Sequence, residues 1–357
     1  MKKQYMQRLP DVHKIAVLRA NALGDFIFIL PALEALDSAY PDAEIVLLAK
    51  AWHKEFLERR PSPVDRVIVI PPCEGVSEEI GTGEDRAGLE QFFSSMVRER
   101  FDLAFQLHGG GLHSNPFTLR LGARTTIGLK TPDAVALDRW IPYIYFQQEI
   151  IRYLEVVALA GASMTTLTPR IVVTARDLEE ASRVVPEGKR PLVALHPGAS
   201  DPRRRWPAGK FAAVGDALAA AGAHVVVTGT KDEQELVTAV VDAMGADAQN
   251  LSGQLSLGGL AALFARCRVV VSNDSGPLHL AAAVGAPTVG IYWCFNMVNA
   301  SELTRARHYP LVSWQLICPI CGSDYSRAHC SHAVSLVGEV PTTEVIDAAL
   351  DLFERCA

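Results

Sequence analysis

The sequence predicts two α/β domains, each built on a parallel sheet with helices on both faces. Short β-branched runs alternate with longer helical patterns over units of about 30 residues, which is typical of parallel sheets. The alternation occurs in both halves of the chain. A chain of 357 residues also exceeds the usual size of a single hydrophobic core. We therefore expect two doubly wound domains joined by a linker.

The first half contains four predicted strands and one well-marked helix. The helix covers residues 26–39; Gly24-Asp25 precedes it and Tyr40-Pro41 ends it. Pattern-breaking Gly, Thr and Pro residues around 161–190 indicate the linker. The predicted strands are residues 15–19, 44–49, 66–70 and 102–107.

The second half repeats this order of elements. We set the domains at residues 1–175 and 176–340. A last helix, 342–356, starts at Thr342-Thr343, and we expect the segment 341–357 to pack back on the first domain. The predicted strands are residues 192–197, 224–229, 269–273 and 288–293, and the predicted helices are 207–221, 232–244, 256–266 and 277–284.

Composition and charge exclude several classes of protein. A chain with 49% hydrophobic and 21% charged residues is neither disordered nor collagen-like. Its formal net charge of -6 argues against a nucleic-acid partner. Polar residues interrupt every long apolar stretch, so neither a secretory signal nor a membrane span is expected. Seven cysteines, an odd number, fit a reducing compartment. We expect a cytoplasmic protein, and contact with a membrane surface stays open.

The residues that follow each strand are the candidates for a binding site, because ligands bind beyond the carboxyl ends of parallel strands. After strand 269–273 come Asp274, Ser275 and Gly276, and a helix follows. Free N–H groups at a helix start suit an anion such as a phosphate. A phosphate would repel Asp274, which is therefore better suited to sugar hydroxyls. An ordinary helix cap is the alternative interpretation, and His279 suits packing as well as ligand contact.

Two further loops follow strands of the second half. The first carries Ser200 and three consecutive arginines, of which Arg204 is the middle one. Such a loop can hold a diphosphate, although a solvated surface is the alternative. The second leads into an acidic helix start at Asp232 and Glu233. These carboxylates either complement the helix dipole or bind a ribose diol.

In the first half the candidate position is Gly24-Asp25, after the first predicted strand. Asp25 is either an N-terminal helix cap or a carboxylate that serves as a general base. His108 and His113, on either side of a triple-glycine loop, are weaker candidates on the presumed acceptor side.

The four loops described above, with the strands and helices around them, resemble glycosyltransferase family 9, the ADP-heptose:lipopolysaccharide heptosyltransferases, in their order and spacing. The resemblance implies a GT-B fold, with two Rossmann-like domains facing each other across a cleft. It also implies an inverting glycosyltransferase that needs no cofactor and no metal at its reacting centre. The matching segments are LRANALGDFIFILPALEALDSAYPDAEIVLLA, HPGASDPRRRWPAGKFAAVGDAL, VVVTGTKDEQE and NLSGQLSLGGLAALFARCRVVVSNDSGPLHLAAAVGAPTVGIY, of which the last is the most specific.

The resemblance assigns roles to single residues. Asp25 matches the family's base for the acceptor hydroxyl, in the N-terminal acceptor-binding domain. Asp274 matches the element that meets the sugar and diphosphate in the C-terminal nucleotide-sugar-binding domain, and Glu233 matches the acidic residue that holds the ribose. The residues expected to bind substrates are Gly24, Ser200, Glu233, Asp274, Ser275, Gly276 and His279; those expected to act in catalysis are Asp25 and Arg204.

One position departs from the family pattern. The family usually has Lys-x-Trp-Pro, and this chain has Arg204-Arg205-Trp206-Pro207. Arginine keeps the charge but changes its geometry, which leaves the donor sugar open. A helix end contributes only about 0.3–1 kcal/mol at an exposed site, so Arg204 is expected to stabilise the charge that develops on the leaving nucleotide.

The resemblance implies transfer of heptose from ADP-heptose onto a lipopolysaccharide core sugar. The expected partners are a nucleotide-sugar donor and a glycan or glycolipid acceptor at the cytoplasmic face of the inner membrane. Alternatives are the same chemistry on a protein or small-molecule acceptor, a nucleotide-sugar epimerase of the GT-B type, and a non-catalytic sugar-nucleotide-binding protein. Asp25 argues against the last. A dehydrogenase is disfavoured, because no Gly-x-Gly-x-x-Gly follows the first strand of either half.

A cysteine-rich segment, CPICGSDYSRAHCSH, falls outside these motifs. It places Cys318, Cys321, His329, Cys330 and His332 close together in sequence. Cys-x-x-Cys with a further Cys or His suits tetrahedral zinc or iron. The match is incomplete, since no second Cys-x-x-Cys or His-x3-His follows. A structural metal and ordinary reduced thiols both remain open.

Overall fold

A six-stranded, all-parallel sheet lies at the centre of each half of the chain in a computed structural model that describes residues 7–327 and 330–355. Contacts between residues divide the chain into Met1–Val172 and Val173–Ala357, and each unit holds one sheet. The predicted domain boundary lies three residues after this division. None of the described helices has the length and apolar character needed to cross a membrane.

The sheet of the first unit has the strand order β3-β2-β1-β4-β5-β6. This is the Rossmann order, in which the sheet first grows outward from β1 to one side and then from β4 to the other. The neighbouring strands β1 and β4 therefore flank the switch point. The elements are β1 (Lys14–Leu18), α1 (Leu23–Ala39), β2 (Glu44–Ala49), α2 (Ala51–Leu57), β3 (Arg66–Val69), α3 (Arg86–Glu99), β4 (Leu103–Gln106), α4 (Ser114–Leu119), β5 (Thr125–Lys130), β6 (Arg139–Pro142) and α5 (Glu149–Ala158).

The second unit repeats this topology, with the order β12-β11-β10-β7-β8-β9 and the switch point between β7 and β10. Single 3-10 turns at Pro202–Arg204 and Lys231–Glu233 follow β7 and β8. The elements are α6 (Ala175–Val184), β7 (Leu192–His196), α7 (Ala208–Ala220), β8 (His224–Val227), α8 (Gln234–Ala243), β9 (Ala248–Asn250), α9 (Leu257–Arg266), β10 (Val269–Asn273), α10 (Gly276–Ala283), β11 (Thr288–Trp293), α11 (Cys294–Ala300), β12 (His308–Ser313) and α12 (Thr342–Arg355).

All eight predicted strands are present, with ends within two residues of the prediction. The strands β7, β10 and β11 are buried on both faces because helices cover both sides of their sheet, so these strands read as continuous apolar runs. Four strands were not predicted. β6 and β9 are short, β5 contains Gly128, and β12 contains Pro310. Proline removes a backbone donor, which an edge strand such as β12 tolerates.

The predicted linker at 161–190 is wrong in part, because it contains α6. Thr174 caps this helix by accepting from the N–H of Asp177, whose carboxylate accepts from the N–H of Thr174. The helix packs on α9, where Glu180 accepts hydrogen bonds from the backbone N–H and the hydroxyl of Ser256. The apolar signal of α6 is weak, since Asp177 and Ala181 are its only fully buried residues.

The C-terminal helix α12 belongs to the second unit, where it packs against α7 and β11. Its buried face includes Val345, Ala349 and Leu352, and these side chains lie in the same core cluster as Phe211 of α7 and Val289 of β11. A helix that buries its apolar stripe in this core is part of the fold that carries the second sheet.

Removing core volume from α12 should therefore destabilise the second unit. Leu352 is 2% exposed, and Leu352→Ala should lower the free energy of unfolding by about 2–5 kcal/mol, measured by urea titration of the full chain. The matched control is Glu354→Ala, an exposed position of the same helix, with an expected change within about 0.5 kcal/mol. Equal effects of the two substitutions would contradict this placement of α12.

Candidate functional site

In both units the candidate residues follow the strands that flank the switch point. Asp25 follows β1 in the first unit, and Arg204 and Asp274 follow β7 and β10 in the second. Chains leave such neighbouring strands toward opposite faces of the sheet, which opens a crevice at the carboxyl ends. The fold therefore supplies one crevice in each unit, and the two are described separately.

A buried arginine organises the crevice of the first unit. Arg19, at the end of β1, is 2% exposed. Its Nη1 donates to the carbonyl of Leu107, beyond β4, and to the hydroxyl of Tyr153 at 2.6 Å each. Its Nη2 donates to Asp25 at 2.9 Å and to Glu149 at 3.1 Å, and its Nε to the carbonyl of Asp25 at 3.0 Å. All five N–H donors of the guanidinium are thus used.

Asp25 is both a helix-start residue and a partly exposed carboxylate. It lies in the first turn of α1, where its Oδ2 accepts the backbone N–H of Ala22, and its Oδ1 faces Arg19. The side chain is 35% exposed. Each carboxylate oxygen can accept two hydrogen bonds, so both retain capacity for an acceptor hydroxyl. The capping role and a role as base are therefore compatible, and the buried Gly24 beside it shapes the same helix start.

His108 lies beside this network, at the end of β4. Its Nδ1 accepts the backbone N–H of Ala20 at 3.3 Å. Burial, together with the positive charges of Arg19 and Lys50, lowers the pKa of His108 to about 3. The ring is therefore neutral at physiological pH, with its proton on Nε2.

A buried asparagine joins the two switch-point loops of the second unit. Asn273 ends β10, and its side-chain amide donates to the carbonyl of Pro197 at 2.7 Å. Its Oδ1 accepts the backbone N–H of Trp206 at 3.0 Å. Trp206 is anchored in turn, because it is 1% exposed and its Nε1 donates to the carbonyl of Val340. The arginine loop after β7 is thus held at both ends.

Arg204 of that loop reaches the corner after β10. Its Nη1 donates to Asp274 Oδ2 and its Nη2 to the Ser200 hydroxyl, both at 3.0 Å. The Arg204 side chain is 21% exposed, against 4% for Asp274. The other three N–H donors of Arg204 have no partner in the part of the chain that the structure describes. Arg204 therefore combines a fixed position with free donors.

The ion pair continues inward to His279 and Glu302. The His279 Nε2 lies 3.2 Å from Asp274 Oδ1, and its Nδ1 lies 3.2 Å from Glu302 Oε1. Burial disfavours the charged imidazole, but the bonds to Asp274 and Glu302 outweigh it and raise the pKa of His279 to about 9. Burial likewise opposes ionisation of Asp274, yet His279 and Arg204 hold the pKa of Asp274 below its ordinary value. The four groups form alternating charges at neutral pH.

The helix that follows Asp274 presents backbone donors. Ser275 is the N-cap of α10 and makes no side-chain capping bond. The backbone N–H groups of Ser275 and Gly276 donate to no group among the described residues. Both residues are partly exposed. Two unused N–H groups at a helix start, close in sequence to Asp274, suit an anionic ligand.

The loop after β8, which carries Glu233, contacts the loop after β7 at Gly198. Glu233 Oε2 accepts the N–H and hydroxyl of Thr230 at 2.9 and 3.2 Å, which caps the turn at Lys231–Glu233. A Cβ at Gly198 would collide with this carboxylate, so glycine permits the close approach. Glu233 Oε1 accepts no hydrogen bond from the described residues and remains available to a ligand.

The structure thus brings Ser200, Arg204, Asp274 and His279 into one hydrogen-bonded chain, with Glu233, Ser275 and Gly276 at the adjoining corners. Gly24 and Asp25 lie in the other unit, and the individual roles of all these residues stay predictions. Sequence reasoning missed four polar residues, of which three are buried and one, Glu149, is half-buried. Arg19 and Asn273 each carry a signal, a polar residue at the end of an apolar strand, whereas Glu149 and Glu302 carry none. These four are Arg19, Glu149, Asn273 and Glu302.

Comparisons with known proteins agree with this architecture. Residues 90–317 match the model of glycosyltransferase family 9 (heptosyltransferase). The lipopolysaccharide heptosyltransferase 2 of Salmonella typhimurium is 29% identical over 78% of this chain and 82% of its own length.

Two solved structures share the fold. A glycosyl transferase family 9 protein from Veillonella parvula superposes with a TM-score of 0.80 at 22% identity, covering 98% of this chain and 100% of its own. The ADP-heptose lipopolysaccharide heptosyltransferase II of Escherichia coli gives 0.74 at 21% identity, with 96% and 99% covered. The fold is therefore GT-B, with two Rossmann-like units.

The buried charge of His279 should make the stability of the protein depend on pH. The folded protein holds the pKa of His279 near 9, above the value of about 6.5 expected when unfolded, so its stabilising contribution is complete below pH 6.5 and is lost as the pH rises through 9. The stability advantage of the wild type over His279→Asn should fall by roughly 3 kcal/mol between pH 6.5 and 9.5, measured by urea unfolding. Glu302→Gln should shift this loss to lower pH. An advantage that stays constant over this range would contradict a charged His279.

Proposed function

Since the chain belongs to glycosyltransferase family 9, we propose that it transfers heptose from ADP-heptose to a lipopolysaccharide core sugar with inversion at the anomeric carbon. The observation that carries this proposal is the buried Asp274 held between Arg204 and His279, beside two unused N–H groups. The names of the relatives support the heptose, the ADP carrier and the lipopolysaccharide acceptor.

The second unit binds the donor. The diphosphate takes the three free donors of Arg204 and the N–H groups of Ser275 and Gly276, all of which follow the strands at the switch point. The ribose hydroxyls bond to Glu233 Oε1, one loop away. A nucleoside diphosphate fits this combination of cationic and acidic groups better than a simple phosphate does.

Asp274 acts mainly by holding Arg204. Its side chain is 4% exposed and both oxygens already accept from Arg204 and His279, which leaves little surface for a direct contact with the sugar. His279 and Glu302 complete the support, because a protonated His279 offsets the two carboxylates that flank it. The guanidinium therefore stays in place before the donor binds, and no reorganisation is needed as charge develops on the leaving ADP.

Asp25 of the first unit is the proposed base. The acceptor hydroxyl gives its proton to the Asp25 carboxylate while its oxygen forms the new bond to the anomeric carbon. The bond from that carbon to the diphosphate oxygen breaks, and ADP leaves with the electron pair. Arg19 and Glu149 fix the carboxylate so that its second lone pairs are presented in one orientation.

Transfer proceeds without a divalent metal at the diphosphate. Arg204 supplies the positive charge that magnesium or manganese provides elsewhere, with the helix start of α10 contributing the rest. The enzyme acts in the cytoplasm, at the inner face of the membrane where a glycolipid acceptor is presented. The acceptor enters as a substrate and the sugar nucleotide as its co-substrate, so no further cofactor is required.

Replacing the base tests the reaction and its mechanism together. Purified protein with ADP-heptose and a heptose-acceptor lipopolysaccharide, without added divalent metal, should release ADP and extend the acceptor. Asp25→Asn keeps the shape but cannot take the proton, so turnover should fall by roughly 10²–10⁴-fold with ADP affinity retained. Asp37→Asn, an exposed position on the same helix, is the matched control and should retain full turnover. A loss below about tenfold for Asp25→Asn would make Asp25 a helix cap only.

Arg204→Ala should weaken ADP binding as well as transfer. Loss of charge-assisted hydrogen bonds costs about 1.5–3 kcal/mol, or about 10–100-fold in the dissociation constant measured by calorimetry. Arg203→Ala is the matched control, because the Arg203 side chain pairs with Asp201 rather than Asp274. Similar ADP affinities for the two variants would refute the assignment of the diphosphate to Arg204.

A further inference from the structure

The cysteine-rich segment after β12 gathers four metal-ligating side chains. The Sγ atoms of Cys318, Cys321 and Cys330 and a ring nitrogen of His332 all lie within 4.8 Å of one another. His329, the fifth candidate from the sequence, lies outside the described residues. The sequence alone left one half of the site incomplete. The fold supplies it by bringing Cys330 and His332 back to the Cys-x-x-Cys pair.

The spacing of the four ligand atoms fits a tetrahedral ion. A zinc ion with Zn–S of about 2.3 Å and Zn–N of about 2.0 Å separates a sulfur from a nitrogen ligand by roughly 3.6 Å and two sulfurs by roughly 3.8 Å. The Cys318 Sγ lies 3.7 Å from His332 Nδ1. The four atoms therefore need to move by less than about 1 Å to share one ion, and a Cys₃His set is a common structural zinc set.

The backbone around the first two cysteines forms a tight turn. An antiparallel bridge pairs Ile317 with Asp324, and the N–H of Cys318 donates to the carbonyl of Ser323 at 2.9 Å. Within this hairpin the N–H of Gly322 donates back to the carbonyl of Cys318. Gly322 has φ +72°, a left-handed conformation that glycine adopts without strain. The turn places both thiols on the same side, toward Cys330 and His332.

We propose that Cys318, Cys321, Cys330 and His332 bind one thiophilic divalent metal ion, zinc by ligand preference, that clamps the connection between β12 and α12. This connection contains no helix or strand among its described residues, 314–327 and 330–341, so no regular ladder of backbone hydrogen bonds holds it. Cys318 is buried in the core of the second unit, whereas Cys321 is exposed. The ion ties the exposed turn to the core.

The clamped connection also supports the arginine loop. Beyond His332, the Ser335 hydroxyl donates to the carbonyl of Arg205 at 2.8 Å. The N–H of Leu336 donates to the carbonyl of Arg203 at 2.6 Å. These bonds join the connection to both neighbours of Arg204. The metal therefore positions Arg204 from a distance and takes no part in the transfer; this consequence rests on the proposed function, whereas the metal site does not.

Metal content tests the site directly. The full chain, purified without a metal-binding tag, should contain one zinc ion per molecule by mass spectrometry, and cobalt should replace it with the visible absorption of a tetrahedral thiolate complex. Cys321→Ser and His332→Ala should lose the ion. His332→Cys should keep it, because four thiolates also bind zinc. Cys73→Ser, at a cysteine of the first unit, is the control and should keep the ion.

Other outcomes decide against the site. A metal-free protein after expression with added zinc and iron, or an ion that both Cys321→Ser and His332→Ala retain, would overturn the proposal, as would a disulfide between two of these cysteines under reducing conditions. One tightly bound iron ion lost in the same variants supports the site with a different metal.

Hydrogen exchange tests the support of the loop. In Cys321→Ser, amides at 203–206 and 335–340 should exchange faster than in the wild type, and amides of α1 should not change. ADP affinity should weaken at least several-fold. Faster exchange with unchanged ADP affinity would refute the diphosphate role of Arg204 but not the clamp, whereas unchanged exchange would refute the clamp.

Discussion

Where a parallel sheet switches its direction of growth, two neighbouring strands send the chain to opposite faces, and polar backbone groups just beyond their ends lose the sheet's hydrogen bonds. Both units meet this constraint with a buried side chain. Arg19 donates across the switch point to the carbonyl of Leu107, and Asn273 donates to that of Pro197. An unpaired buried carbonyl would cost about 1–3 kcal/mol, so these residues are needed before any ligand binds. The remaining polar groups of each crevice are arranged around them.

The same constraint explains why the charged residues form networks of three or more side chains rather than single ion pairs. Arg19 lies between Asp25 and Glu149, and His279 lies between Asp274 and Glu302. In each case one buried cation meets a carboxylate that is near it in sequence and a second carboxylate from a more distant segment. Removing one member of a buried pair typically costs about 3–5 kcal/mol, because the partner is left uncompensated. The crevices are therefore rigid and charged in advance, which suits a reaction that separates charge.

The second unit adds a support that the first lacks among the described residues. Its arginine loop is held from one side by Asn273 through the backbone of Trp206, and from the other by the connection that carries the cysteine cluster. Trp206 itself lies in the core, between α7 and the carbonyl of Val340. Arg204, on an otherwise irregular loop, gains its fixed position from these contacts, since a loop without them would have to be ordered whenever a ligand binds.

The sequence by itself determined the architecture and most of the candidate residues. Apolar strand runs and the polar corners after them predicted two doubly wound domains, and Asp25, Arg204 and Asp274 follow strands as expected, because burial on two faces and turn chemistry are local properties. Only the tertiary structure decided which side chains contact these candidate residues. Glu149 and Glu302 carry no local signal, α6 and the short edge strands have weak apolar patterns, and Cys330 and His332 join the Cys-x-x-Cys pair by folding back. Such contacts between distant segments depend on how the sheets order their strands, which no short stretch of sequence encodes.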